Sequence, residues 1–306
     1  MSKIICIGSS NTDMVIRSER LPRPGESVVG GNFIMAGGGK GANQAVAIAR
    51  MGHEVVFSAA VGEDIFGNEA IERYQQFGIN TSHIVRKKTP SGIALIMVDG
   101  AAQNSISVAL GANTELSIED VMPALELIEP DDIVLMQLEI PMETVAACTA
   151  AAAAKGARVV LNPAPAAEVS EDVLSKLYLI TPNQTEAETL TGIEVIDEQS
   201  ARAAAAALRA KGVKRVIITM GGDGALLDDG GNVEMVPAFR VNAIDTTAAG
   251  DVYNGAICAA LAEGHTLRDA MIFGSKASAI SVTRIGAQPS IPTREEVDNF
   301  NANQTM

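Results

Sequence analysis

The stretch GGGKGANQAVAIARMGHEVVFSAAVGED, residues 37–64, decides the fold class. Three glycines open it, a helix-forming segment from Ala42 to about Arg50 follows, Gly52 closes that helix, and VVFSAAVG reads as a buried strand. Upstream, KIICIGSSNTD (3–13) is a continuous apolar run stopped by Gly8, again the pattern of a buried strand. The unit is therefore β–α–β. It recurs as strand DIVLMQLE, helix METVAACTAAAAAKG, strand ARVVLNP, strand LYLITPN, helix SARAAAAALRAKG and strand RVIITMGGDG. Such alternation predicts an α/β protein with a doubly wound, mostly parallel sheet and helices on both faces. Functional residues are then expected where strands end and helices begin.

Two segments break the rhythm. Residues 14–36 alternate loosely around Pro22, Pro24 and Gly25, and residues 92–110 read as two strands joined near Gly100. Both are expected to be antiparallel and to form a small appended β-sheet, a lid or a dimer surface. The tail after Thr293 is expected to be one short helix and a polar end.

Composition narrows the function classes. Of 306 residues, 47% are hydrophobic but only 3% aromatic, with no Trp, so the core is aliphatic and suits helices packed on a parallel sheet. The formal net charge of −14 disfavours nucleic acid as a partner. Cys6, Cys148 and Cys258 are too far apart for a C-x-x-C site and each sits in an apolar run, as expected of buried thiols in a reducing compartment. No run of about 18 apolar residues occurs, and the first residues are too short for a signal peptide, so no membrane association and a cytoplasmic location are expected. His53, His83 and His265 lie near no partner motif and are read as surface or loop residues.

Five stretches carry chemistry. In DTTAAGD (245–251), Ala248, Ala249 and Gly250 at a helix start would point unpaired N–H groups outward and make an anion site. Asp251 would repel an anion, but it suits taking a proton from an attacking hydroxyl; the alternative is an acid in the first turn of an ordinary helix. GGGKGAN (37–43) lacks the ending of a Walker A loop, because Gly41 follows Lys40; its glycines either admit a polar ligand near Lys40 and Asn43 or form a flexible turn. Asn11 and Asp13 are two apart, so in an extended segment they share a face and could chelate vicinal hydroxyls, or they belong to a turn. In ITPNQTEAE (180–188), Asn183 and Glu186 share a face at a helix start, either around water on Mg²⁺ or as a capping pair. TMGGDGALL (219–227) offers bare backbone to a nucleotide, or a hairpin turn.

Taken together and in order, GGGKGANQA, LMQLE (135–139), LNPAPA (161–166), TPNQTEAE, DTTAAGD with NGA, and SVTRIGAQPS (281–290) resemble the ribokinase family of sugar kinases, of phosphofructokinase-B type. The resemblance covers essentially the full chain, read as a single domain over residues 1–306. It implies ATP-dependent phosphorylation of D-ribose at its 5-hydroxyl, with Asp251 as general base and the backbone of Ala248, Ala249 and Gly250 as anion hole. By the same resemblance Asn11, Asp13, Gly39, Lys40, Gly41, Ala42, Asn43 and Glu139 hold the pentose. Asn183, Thr219, Met220, Gly221, Gly222, Asp223, Gly224, Gly250 and Ser275 line the ATP site, with Glu186 acting on Mg²⁺ through water. Asp245, Thr247, Ser281, Arg284, Gly286 and Ser290 match a site for an activating monovalent cation, K⁺. The resemblance also implies a homodimer paired through the lid. Val252 and Tyr253 stand where relatives commonly carry Thr-Phe, and Ser275 where many carry a larger polar residue. The competing readings are a 2-deoxyribose or other pentose or nucleoside kinase of the same family, and a sugar-binding protein without catalysis.

Overall fold

The computed structural model describes residues 2–101 and 103–301. The first half of the chain contains β1 (Ile4–Ile7), β2 (Asn11–Arg17), β3 (Asn32–Gly38), α1 (Lys40–Arg50), β4 (Val55–Gly62), α2 (Ile65–Gln76), β5 (Ile84–Lys87), β6 (Gly92–Val98) and β7 (Asn104–Ala109). Next come α3 (Ile118–Glu126), β8 (Ile133–Met136), α4 (Met142–Ala154), β9 (Arg158–Leu161), α5 (Glu171–Leu174), β10 (Leu179–Ile180), α6 (Gln184–Thr191) and α7 (Glu198–Ala210). The last part holds β11 (Val216–Thr219), β12 (Ala225–Asp228), β13 (Val233–Val236), α8 (Ala249–Ala262), α9 (Leu267–Ser281) and α10 (Arg294–Asp298).

Nine strands form one sheet in the order β13-β12-β11-β10-β9-β8-β1-β4-β5. Every pairing from β11 to β5 is parallel; only the β11–β12 and β12–β13 pairings, at one edge, are antiparallel. Alternate residues of the central strands feed opposite cores, as a two-residue period requires. Ile4, Cys6, Ile133 and Leu135 pack with α1 and α8, while Ile5, Ile7, Val134 and Met136 pack with α3, α4 and α7. The expected doubly wound architecture is therefore present, and all three cysteines are buried free thiols. Among the described residues no helix is long and apolar enough to cross a membrane.

The small sheet has the order β3-β2-β6-β7. Its outer pairs are antiparallel as expected, but its central pair, β2 with β6, is parallel with Asn11 opposite Gly92. The chain passes from β2 to β6 through β3, α1, β4, α2 and β5, and a crossover of that length permits a parallel pair. The sheet also begins earlier than the alternation suggests, at Asn11, so Asn11 and Asp13 are themselves part of it. Its surface leaves Ile16, Phe33, Leu95 and Ile106 exposed.

His53 lies in a loop, within the expected class, but it is not without a partner. It sits in the α1–β4 turn, but its side chain is only 8% exposed and its Nε2 lies 2.9 Å from Glu263 Oε1, tying that turn to the end of α8.

Candidate active site

The site forms where α1 and α8 begin, at the carboxyl ends of the central strands. Ala248 caps α8 in the left-handed region (φ 60°), and no side chain caps the helix. A non-glycine residue there is unusual, and a methyl group is the least that can occupy it. The positive end of the helix dipole therefore faces a cleft of about 220 Å³, although the Ala249 N–H, expected to be unpaired, donates back to the Thr246 carbonyl at 3.2 Å. Ala248, Ala249, Gly250, Asp251, Lys40, Asn183, Glu186 and Thr219 all line it. A Cβ on Gly250 would meet nothing within 4 Å, so packing within the chain does not explain the glycine.

Asp251 is buried in the first turn of α8. Its Oδ2 accepts from Asn43 Nδ2 at 2.9 Å and its Oδ1 from Gln44 Nε2 at 3.0 Å, both from α1. Gln44 is held in turn: its Nε2 also donates to Asn162 Oδ1 (3.0 Å) and its Oε1 accepts from Gln137 Nε2 (2.6 Å). Asn254, one turn after the acid, donates to the Gly250 carbonyl at 2.8 Å and accepts from Thr181 Oγ1 at 2.6 Å. The result is a fixed carboxylate at the mouth of an anion-favouring helix end.

The glycines of 37–41 are there for close approach. Gly39 (φ +88°) precedes α1, and a Cβ on Gly38 would stand 2.1 Å from Asp13 Oδ1. On Gly41 it would stand 2.5 Å from the Ser9 nitrogen, backbone against backbone. Ala42 closes the crossing, its N–H donating to the Ser9 carbonyl at 2.8 Å. Glu139 Oε2 accepts from the Lys40 N–H at 3.0 Å and from Ser9 Oγ at 2.5 Å, so Glu139 is anchored at the start of α1. Asn11 and Asp13 lie buried on β2 beside this turn rather than in the cleft wall.

Three carboxylates, Asp251, Glu139 and Glu186, thus act on the Lys40 ammonium, and a fourth, Asp13, lies near Glu139, Asp251 and Arg73. Burial pushes Asp251 up, opposed chiefly by Lys40 and by the Asn43 and Gln44 amides. Burial acts to lower Lys40, but Asp251, Glu139 and Glu186 outweigh it and hold the ammonium above its ordinary value. Glu186 is raised by burial, against the Asn183 N–H and Lys40. Burial, then Glu139 and Asp251, lifts Asp13 from 3.8 to about 6. A raised carboxylate favours folding below its unfolded-state value and loses that contribution as pH climbs from about 4 through 6. Asp13→Asn is therefore expected to be more stable than the parent at pH 7, by up to about 3 kcal/mol, or several degrees in Tm. The gain should vanish near pH 4; thermal scans at both values check it, and an equal or lower Tm at pH 7 would contradict it.

Other expected site residues fall in several classes. Asn183 and Glu186 form a reciprocal capping box on α6, with Glu186 Oε2 accepting the Asn183 N–H at 2.9 Å, while both also face the cleft. Residues 219–225 are a hairpin from β11 to β12 through a 3-10 turn, Gly221–Asp223. Gly221 and Gly222 have open space around them, whereas Gly224 (φ +103°) is required by the Val236 carbonyl. Met220 is buried in the core of the second face, so only its backbone is available to a ligand. Asp223 is exposed in the turn, and Ser275 is half-buried on α9 outside the cleft.

Of the six cation-site residues, Asp245, Thr247 and Gly286 come together. Asp245 Oδ1 accepts from the Thr247 N–H (2.9 Å) and its Oδ2 from the Gly286 N–H (2.9 Å), which staples the loop before α8 to the loop after α9. These bonds hold Asp245 below the usual carboxylate range despite partial burial. The Ser281 and Ser290 hydroxyls turn back onto the Ser278 and Ala287 carbonyls, and the Arg284 guanidinium pairs with Glu296. Backbone oxygens are what these three can offer.

Gln44, Asn162, Thr181 and Asn254 were not among the expected site residues, although each braces the acid or lines the cleft. Signals existed for two of them: Asn254 stands three residues after Asp251, on the same helix face, and Asn162 ends a strand inside LNPAPA.

The sequence profile described as pfkB family carbohydrate kinase matches residues 1–294. The chain belongs to this family. It is 46% identical over 295 residues to a ribokinase of Haemophilus influenzae, covering 96% of each chain. It is 38% identical to a deoxyribokinase of Salmonella typhi, covering 97% of this chain and 98% of the other. The structure of Arabidopsis thaliana ribokinase complexed with ribose and ATP superposes with a TM-score of 0.88 at 28% identity, covering 98% of this chain and 99% of that one. Among pfkB carbohydrate kinases, then, this one presents its DTTAAGD acid at a helix end with three small residues in front of it.

Proposed function

We propose that this kinase transfers the γ-phosphoryl group of ATP to the 5-hydroxyl of D-ribose, giving ribose 5-phosphate and ADP. The observation that carries the reading is Asp251, a carboxylate fixed by two amides, placed between the buried polar residues of β2 and α1 and the uncapped start of α8. In this reading Asp251 takes the proton of the 5-hydroxyl as its oxygen bonds to phosphorus and the bond from phosphorus to the ADP oxygen breaks. The N–H groups of Ala248 and Gly250, joined by that of Ala249 when it leaves the Thr246 carbonyl, hold the charge that develops on the transferring group, with Lys40 beside them.

Asn11, Asp13, Gly39, Lys40, Asn43 and Glu139 then hold the sugar. Asn183, Thr219 and the open backbone of Gly221 and Gly222 hold ATP. Glu186 would orient a water of the Mg²⁺ that accompanies ATP, an ion that would supply charge neutralisation at the phosphates. The all-oxygen character of the 245–247 and 281–290 loops suits K⁺, which would stiffen the loop leading into the anion hole. The chain works as one domain in the cytoplasm, with the small sheet as lid; its exposed Ile16, Phe33, Leu95 and Ile106 suit pairing of two lids in a homodimer.

The second reading is 2-deoxyribose kinase, favoured by the deoxyribokinase relative. Two polar groups, Asn11 and Asp13, speak for ribose, because a site built for a hydroxyl discriminates against a sugar lacking it. Competition of equimolar ribose and 2-deoxyribose, with products resolved by ³¹P NMR, tests this. Ribose 5-phosphate should dominate; dominance of the deoxy product, or phosphate at another hydroxyl, would overturn the reading.

A further inference from the structure

Asn113 lies in the 3-10 turn Gly111–Glu115 after β7 and is fully buried. Its Oδ1 accepts the Ser10 N–H at 2.8 Å, and its Nδ2 donates to the Leu110 carbonyl at 2.7 Å and reaches the Ser10 carbonyl at 3.2 Å. A backbone N–H can only donate and a backbone carbonyl can only accept, so these contacts leave no freedom as to which end of the Asn113 amide is which. The same Nδ2 then donates to Asn11 Oδ1 at 2.8 Å. Gly92, opposite Asn11 in the parallel β2–β6 ladder, leaves the room for this contact: a Cβ there would stand 2.1 Å from Asn11 Oδ1 and 2.4 Å from Asn113 Nδ2.

With its oxygen engaged, Asn11 has its Nδ2 left, which has no partner among the described residues. Asp13, two residues along the same strand, shares its face and is an acceptor when ionised. A donor beside an acceptor matches a vicinal diol, in which one hydroxyl accepts from the amide and its neighbour donates to the carboxylate. We propose that Asn113 is a positioning residue that sets the polarity of the sugar site, holding Asn11 so that it offers an N–H next to the Asp13 carboxylate. This rests on the reading of Asn11 and Asp13 as sugar contacts.

Asn113→Asp removes the donor and turns Asn11 around, so that two acceptors face the sugar. Steady-state kinetics of Asn113→Asp should show a ribose KM raised about 10–100-fold and an ATP KM within about twofold of the parent. In an Asn11→Ala background the same change should add almost nothing to the ribose KM, because Asn113 acts through Asn11. An unchanged ribose KM in Asn113→Asp, or the same fold-increase with and without Asn11, would overturn the proposal. Unchanged ribose KM in Asn11→Ala alone would remove the sugar-contact reading, and the proposal with it; an effect of Asn11→Ala with none of Asn113→Asp removes the proposal only. If Asn113→Asp does not fold, Gly92→Ala wedges the same contact from the other side and should raise the ribose KM alone; no rise would overturn the proposal.

Discussion

Asp251→Asn retains ribose and ATP binding and loses on the order of 10²–10⁴ or more in kcat. Binding survives because the local geometry hardly changes. The side-chain oxygen that remains can accept from Asn43, while Gln44 keeps its bonds to Asn162 and Gln137. Turnover falls because an amide cannot take the proton of the attacking hydroxyl, while the helix end behind it still binds the phosphoryl group. Calorimetric titration with ribose and ADP release at saturation separate the two effects. Loss of ribose affinity with normal turnover at saturation would contradict the assignment of Asp251 as base.

Gly255→Ala is expected to cost stability and rate together. Gly255 lies one turn past Asp251 on α8, where the helix meets α1, and its absent Cβ would stand 2.6 Å from Ala47 Cβ and 2.8 Å from the Gln44 carbonyl. No flexible side chain can give way there, so α8 must move off α1, at about 1–3 kcal/mol. That movement also draws Asp251 away from Asn43 and Gln44, on which its orientation depends, and misplacement of about 1 Å can cost roughly 10²-fold in rate. Tm and kcat should therefore drop in the same variant, with KM for ATP affected less. Ala47→Gly in the same chain removes one of the two clashes and should recover part of both. A Gly255→Ala protein with parental Tm and kcat would show that the α1–α8 contact does not set the site.

The sequence rhythm was enough to place the large sheet and most of its helices, because the central strands are short, predominantly apolar runs between helix-forming segments. It could not place the parallel β2–β6 pairing, which joins residues about 80 positions apart and leaves no local signature. At the site, the placement of Ala248, Ala249, Gly250 and Asp251 at a helix start was legible, because small residues followed by an acid suit the first turn of a helix. The left-handed conformation of Ala248 was not, since nothing about alanine announces it. Gln44 and Asn113 escaped for a related reason. Their work consists of hydrogen bonds to residues 93–118 positions away, and a lone amide in a helix or loop reads the same whether it braces a catalytic acid or faces water. Asn183 and Glu186 had two readings; the pair forms the capping box of α6, and both residues also line the cleft.

The most direct measurement is ADP release from Mg-ATP with ribose, 2-deoxyribose, fructose and adenosine, each in K⁺ and in Na⁺. Turnover with ribose well above the other three, and higher in K⁺, is the expected result. Measurable ribose binding with no turnover on any of them would make the protein a sugar binder, and would return Asp251 to the role of an ordinary first-turn acid.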